Sequence, residues 1–181
     1  MVTTDEALVR AVQEGGLEAF DQLMLRYQKL ICKVAMNYVK DKQSALDVTQ
    51  NVFLKAYQHM DSVTTEGMFK PWLLRIAYNE SINWLRKRKR QEGREEFVDL
   101  DQAVRIGADQ EAGVLREEDQ RRLLAGLDQL NPKYRLALAL RYAEGMRIRE
   151  IAAVMGCSEG VVKSLLFRGV RRIKQHVARS A

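Results

Sequence analysis

Between residues 18 and 39 the apolar side chains Phe20, Leu23, Met24, Tyr27, Leu30, Ile31, Val34, Ala35 and Tyr38 recur at successive steps of three and one, so that partners three and four apart repeat along the run. Such spacing gathers them on one side of a 3.6-residue helix, whereas a strand would scatter them over both faces. The same period returns near 44–60 with Val52, Phe53, Ala56, Tyr57 and Met60, and again with Leu123, Leu124, Leu127 and Leu130. No strand-like alternation and no internal repeat interrupts it, so the chain is expected to be all-α. Its punctuation agrees. Thr3 and Glu6 fit a capping box for a first short helix that stops at Gly15-Gly16. Lys40-Asp41-Lys42 forms a polar turn, and Asp61 to Gly67 lacks periodicity and is expected to be an exposed loop. The two prolines, Pro71 and Pro132, each sit where a helix starts, the second behind a capping Asn131.

Charge divides this helical chain into three parts. Residues 1–90 carry a net +4, residues 91–118 a net −6, and residues 119–181 a net +8. The middle part has three glycines, many acids and few bulky apolar groups, so it cannot bury enough surface to order by itself. Two small helical domains, 1–90 and 119–181, joined by a flexible acidic linker, 91–118, are therefore expected. Two basic bodies around an acidic strap suit partners that are polyanions.

Several function classes lack their parts. Cys32 and Cys157 each fall on an apolar helical stripe without ligand-spaced companions, and His59 and His176 are isolated. No disulfide, metal site, cofactor or enzymatic activity is expected from that set. No apolar run reaches the ~20 residues that span a bilayer, and the N-terminus lacks the basic and apolar blocks of a signal peptide. A cytoplasmic protein without direct membrane insertion is expected.

Two stretches carry positive signals. In EIAAVMGCSEGVVKSLLFRG, Gly156 sits where one helix must stop, Ser158 can cap the next, and Val162, Leu166, Val170, Ile173 and Val177 form one buried stripe. A separate face keeps Gly160, Lys163, Ser164, Phe167, Arg168 and Arg171, a mixture suited to phosphates and base edges. This is the pattern of a helix-turn-helix. The second stretch, FKPWLLRIAYNESINWLRKRKR, sets Arg75, Asn79, Asn83, Arg86 and Arg90 at steps of four, four, three and four, hence on one face. A solvated face with dipole-complementing cations would explain the terminal RKRKR alone, but the stripe begins three turns upstream of it.

With these residues in view, the sequence resembles an extracytoplasmic-function (ECF, group 4) sigma factor of the sigma-70 family. AFDQLMLRYQKLI is similar to region 2.1 of that family, ALDVTQNVFLKAYQHM to region 2.2, FKPWLLRIAYNESINWLRKRKR to regions 2.3 and 2.4, and LNPKYRLALALRYAEGMRIREIAAVMGCSEGVVKSLLFRGVRRIK to region 4. The resemblance implies a subunit that binds core RNA polymerase of a bacterium and directs promoter-specific initiation of a stress, envelope or metal-response regulon. It implies contact of Asp47, Gln50, Asn51 and Phe53 with the β′ clamp helices, Asn51 standing where a glutamate is common. The −10 element would be captured by Asn79 and by the loop opening with Asp61, Ser62 and Val63, where relatives often place an aromatic at the position of Val63. Arg75, Asn83, Arg86 and Arg90 would lie along the same DNA. The −35 element would meet Arg141, Lys163, Ser164, Phe167 and Arg168, with region 4 leaning on the β flap; Leu165 replaces a frequent arginine and Arg147 a frequent Ser or Thr cap. An anti-sigma factor, which can be membrane-anchored, is a further implied partner.

On the residues alone two other readings stay open at this point. A dimeric helix-turn-helix regulator would use residues 119–181 on duplex operator and leave the Arg/Asn stripe without a task. An RNA-binding module would need affinity for RNA without polymerase.

Overall fold

The computed structural model describes residues 3–39, 41–63, 68–91, 126–127 and 129–179. The expected linker, 91–118, lies outside them except for Gln91, as do residues 64–67 of the expected loop and the pair Leu123-Leu124. All regular elements among the described residues are helical. They fall into two compact units.

The N-terminal unit contains α1 (Asp5–Gln13), α2 (Leu17–Met36), α3 (Lys42–Gln58) and α4 (Phe69–Gln91). Helices α2, α3 and α4 pack against one another, and α1 lies against α2. Their shared core holds Leu23 and Ile31 of α2, Ala45, Val52 and Ala56 of α3, and Leu73, Leu74 and Ala77 of α4, all essentially inaccessible. Burying each large aliphatic here stabilises the unit by roughly 1.5–3 kcal/mol. Thr49 and Ser81 are buried within this apolar face, and each hydroxyl donates to the carbonyl four residues back, Ala45 and Ala77, at 2.7 Å. Both hydroxyls thus satisfy their donors within their own helix.

Two expected details differ. The first helix is capped by Thr4 rather than Thr3: it begins at Asp5, and Thr4 Oγ1 accepts from the Ala7 amide at 3.3 Å. The segment after α3 is not loop from its start, because Met60–Ser62 closes a single 3-10 turn with Met60 buried. Asp41 caps α3, its two carboxylate oxygens accepting from the Ser44 amide and hydroxyl at 2.8 Å each.

The C-terminal helices, taken together as the C-terminal unit, are α5 (Pro132–Leu138), a π-helical turn at Ala139–Ala143, α6 (Ile148–Met155) and α7 (Glu159–Arg179). Asn131 caps α5 by accepting from the Lys133 amide at 2.9 Å, with Pro132 next to it. Leu130, Tyr134 and Leu138 form a core against which Leu127, Leu165, Leu166, Val170 and Ile173 pack. Helices α5 and α7 cross closely at Gly169, where an added Cβ would stand 2.9 Å from Leu138 Cδ1. The turn between α6 and α7 runs through Gly156 at φ +63, and the Cys157 amide donates back to the Ala152 carbonyl at 3.1 Å. That bond closes α6 from outside its last turn. Ser158 Oγ then accepts from the Val161 amide at 3.3 Å and starts α7.

Candidate nucleic-acid interface

The stripe on α4 is a consequence of what the opposite face buries. Leu73, Leu74, Ala77, Ser81 and Ile82 turn inward, and the polar stripe occupies another side of the helix. Arg75, Asn79, Asn83, Arg86 and Arg90 are accordingly all exposed. Two ion pairs frame them. Lys55 Nζ of α3 lies 2.7 Å from Glu80 Oε1, so the carboxylate next to Asn79 is neutralised within the protein. Arg88, inside the RKRKR run, lies over the Trp84 ring at 5.2 Å and 3.9 Å from Asp41 Oδ2. The run is therefore divided: Arg88 braces α4 against the α3 cap, while Arg86, Lys87 and Arg90 face outward. An extended surface of guanidinium, ammonium and carboxamide donors suits phosphates and base edges.

Ahead of this helix in the chain, Asp61 and Ser62 are exposed and Val63 is half-buried. Gln13 Nε2, from the end of α1, donates to the Met60 and Val63 carbonyls at 3.1 Å each. Sequence reasoning misses this contact, which joins residues some fifty positions apart and so leaves no local pattern.

On α7 the outward face carries Lys163, Arg168 and Arg171, with Ser164 half-buried. Phe167 is 69% exposed and Tyr142 70% exposed, an unusual position for two aromatic rings on a lone chain. An exposed ring beside arginines fits the C5-methyl of a thymine flanked by phosphates. Arg141 is exposed, but Nη1 donates to the Met146 carbonyl at 2.9 Å, so part of its guanidinium holds the loop that leads into α6. Arg147 cannot cap α6 with its own side chain, and its backbone amide is satisfied from the other direction: Glu150 Oε2 accepts from it at 2.6 Å. This is the reciprocal half of a capping box. Leu165 packs into the Leu130, Tyr134, Leu138 core, which places it among the packing side chains of α7.

On α3 the structure separates the four expected polymerase-binding residues. Asp47, Gln50 and Asn51 are exposed, with Asp47 accepting from Gln43 Nε2 at 3.3 Å. Phe53 is a correction. It is buried, 6% exposed, with its ring edge-on to Phe20 at 6.4 Å between centroids. Its period-matched neighbours Val52 and Ala56 turn into the same core, so it supports the surface from beneath and does not present itself. Leu46 and Leu54, which the periodicity does not single out, flank Gln50 on the outward side at 39% and 57% exposure. Leu17 and Leu25 are likewise exposed on α2.

Among the described residues no three His, Cys, Asp or Glu side chains gather as a metal site, and no helix is long and apolar enough to cross a membrane.

Residues 23–91 match the family Sigma-70 region 2, and residues 120–173 match Sigma-70, region 4. The RNA polymerase sigma-H factor of Pseudomonas aeruginosa is 37% identical over 171 residues, covering 91% of this chain and 89% of that protein. The ECF RNA polymerase sigma-E factor of Escherichia coli K12 is 34% identical over 185 residues, covering 96% and 94%. The chain belongs to the ECF sigma factors of the sigma-70 family. As a sigma factor it is a transcription initiation factor and not an enzyme. Among solved structures, the sigma factor RpoE in complex with the anti-sigma factor NepR from Bartonella quintana is similar at 26% identity and TM-score 0.69, over 90% of this chain and 98% of that one. CnrH, solved with the cytosolic domain of CnrY, shares the fold at 21% identity and TM-score 0.68, over 98% and 99%. In this sigma factor, region 2 takes in α3, α4 and most of α2, and region 4 spans α5 to most of α7. Helix α1 lies ahead of the region 2 match.

Proposed function

We propose that this sigma factor acts in the cytoplasm, binding core RNA polymerase of its bacterium and reading a two-part promoter with its two units. Residues 1–90 serve polymerase binding and the −10 element, residues 119–181 the −35 element, and residues 91–118 link them. The observation that carries this reading is the outward stripe of Arg75, Asn79, Asn83, Arg86 and Arg90 on α4, outside the helix-turn-helix. A regulator that reads duplex operator through α7 alone would have no use for it. Asn79, with the turn Asp61, Ser62 and Val63, captures a −10 base turned out of the stack, and the few kcal/mol that extrusion costs makes the pocket selective. Arg141, Lys163, Ser164, Phe167 and Arg168 meet the −35 duplex. Asp47, Gln50, Asn51 and the exposed Leu46 and Leu54 meet the β′ clamp helices, and region 4 leans on the β flap. The exposed leucines of α2 and α3 also suit an anti-sigma factor, the kind of partner bound to the relative from Bartonella quintana.

The test is run-off transcription from a promoter library with purified core polymerase. Wild-type protein should select one shared bipartite promoter. Asn79→Ala should flatten base preference in the −10 element and Lys163→Ala should weaken use of the −35 element, each by roughly tenfold. Initiation at no promoter with a matched core enzyme would overturn the reading.

A further inference from the structure

Helix α1 lies outside the region 2 match, yet it is fastened to the rest of its unit at both ends. At its start, the Asp5 carboxylate accepts from Arg26 and from the Tyr27 hydroxyl, and Arg26 Nη2 also donates to the Thr3 carbonyl at 2.8 Å. Along its length Leu8, Val9 and Val12 are buried. At its end the chain doubles back through Gly15, at φ +95, and Gly16, where a Cβ would stand 2.9 Å from the Ala11 carbonyl oxygen. That turn admits no side chain at Gly16, and α1 packs against α2.

What this rigid strut holds is the segment around the 3-10 turn. Gln13 Nε2 spends both its hydrogens on the Met60 and Val63 carbonyls. Downstream, the buried Phe69 that opens α4 sets its ring edge-on to Tyr27 at 5.5 Å, and the Tyr27 hydroxyl donates to Asp5 of α1. Both the 3-10 turn and the first residue of α4 are thus referred to α1, the turn directly through Gln13 and Phe69 through Tyr27. A backbone that must meet an extruded base has to be fixed to within about half an ångström to discriminate.

We infer that α1 is a positioning element for −10 recognition and that Gln13 is its positioning residue, fixing the backbone of Asp61–Val63. The inference rests on the promoter-reading function proposed above. Gln13 itself is exposed, so replacing it leaves the packed core of the unit in place. Gln13→Met keeps its length and removes both donors; Gln13→Glu keeps its shape and turns an acceptor toward two carbonyls.

The experiment measures initiation by holoenzyme on a library of single-base substitutions across the −10 element, beside core-polymerase affinity, for wild type, both Gln13 variants and Asn79→Ala. Loss of two hydrogen bonds should reduce the ratio between best and worst base at one −10 position by about five- to tenfold, with core affinity within about twofold of wild type. Because a merely structural role would lower activity without altering base preference, that ratio is decisive. If both Gln13 variants keep the wild-type preference while Asn79→Ala flattens it, the inference fails and the promoter reading stands. If core affinity falls in parallel with initiation and preference is kept, α1 is scaffold only and the inference fails likewise. If Asn79→Ala also keeps the preference, the promoter reading itself fails.

Discussion

Replacing Gly156 by alanine isolates the backbone energetics of the helix-turn-helix, because nothing stands within 4 Å of the Cβ it would acquire. The cost is conformational alone. At φ +63 an L-residue loses about 1–2 kcal/mol through its Cβ and the following carbonyl. Against this, alanine restricts the unfolded chain and returns roughly 0.4–1 kcal/mol. The balance is a loss of about 1 kcal/mol, equivalent to roughly 4–8 °C in the melting temperature of a unit this size. Gly156→Asn should lose about half as much, since asparagine tolerates the left-handed region better. The chain supplies its own control: both its tryptophans, Trp72 and Trp84, lie on α4. Indole fluorescence therefore follows the N-terminal unit alone, while far-UV ellipticity follows both. In thermal melts of Gly156→Ala the ellipticity transition of the C-terminal unit should shift down, with asparagine intermediate, while the fluorescence transition stays where it is in wild type. An unchanged or raised transition in the alanine variant would refute the left-handed turn, and a loss above about 3 kcal/mol would mean that the turn meets a steric neighbour after all.

Two further outcomes follow from packing and titration. Gly169→Val should destabilise the C-terminal unit by about 1–3 kcal/mol, seen in ellipticity and not in fluorescence, because even the first added carbon would lie 2.9 Å from Leu138 Cδ1 and 3.3 Å from its Cγ. Burial, and then the hydrogen bond to Asp5, raise the Tyr27 hydroxyl above its ordinary value. The unfolded chain gives up that proton near pH 10, so the N-terminal unit has its full stability below about pH 10 and loses it as pH climbs toward the raised folded value. Fluorescence-detected melts between pH 8 and pH 11 should show a steeper alkaline decline in wild type than in Tyr27→Phe, and equal slopes would refute the assignment. The pH interval is set by the ordinary tyrosine range of about 10.

Features carried by one helix are legible in the amino-acid order, and features that depend on which helices meet are not. Arg75, Asn79, Asn83, Arg86 and Arg90 fall on one face by spacing alone, because helical period is a local property and the apolar residues on the other side of α4 leave only one outward direction. Gly156 and Ser158 are legible for the same reason: a stop and a cap act within four residues. Phe53 is legible only in part: the apolar period places it with Val52 and Ala56, the family resemblance places it on the polymerase-binding surface, and the packing of Phe20 from α2 decides between them. The RKRKR run reads as uniform, yet Asp41 and Trp84 withdraw Arg88 from it, a division that requires knowing where the α3 cap lies. Gln13 is the extreme case. A glutamine at a helix end is ordinary in any sequence, and its two acceptors lie beyond two further helices. Its weight comes from where those acceptors are: they are backbone carbonyls, which any side chains at 60 and 63 would supply. A strut of that kind constrains geometry without constraining the residues it holds, so Val63 or its neighbours can change, and with them the base preferred, while the backbone that presents them stays in place.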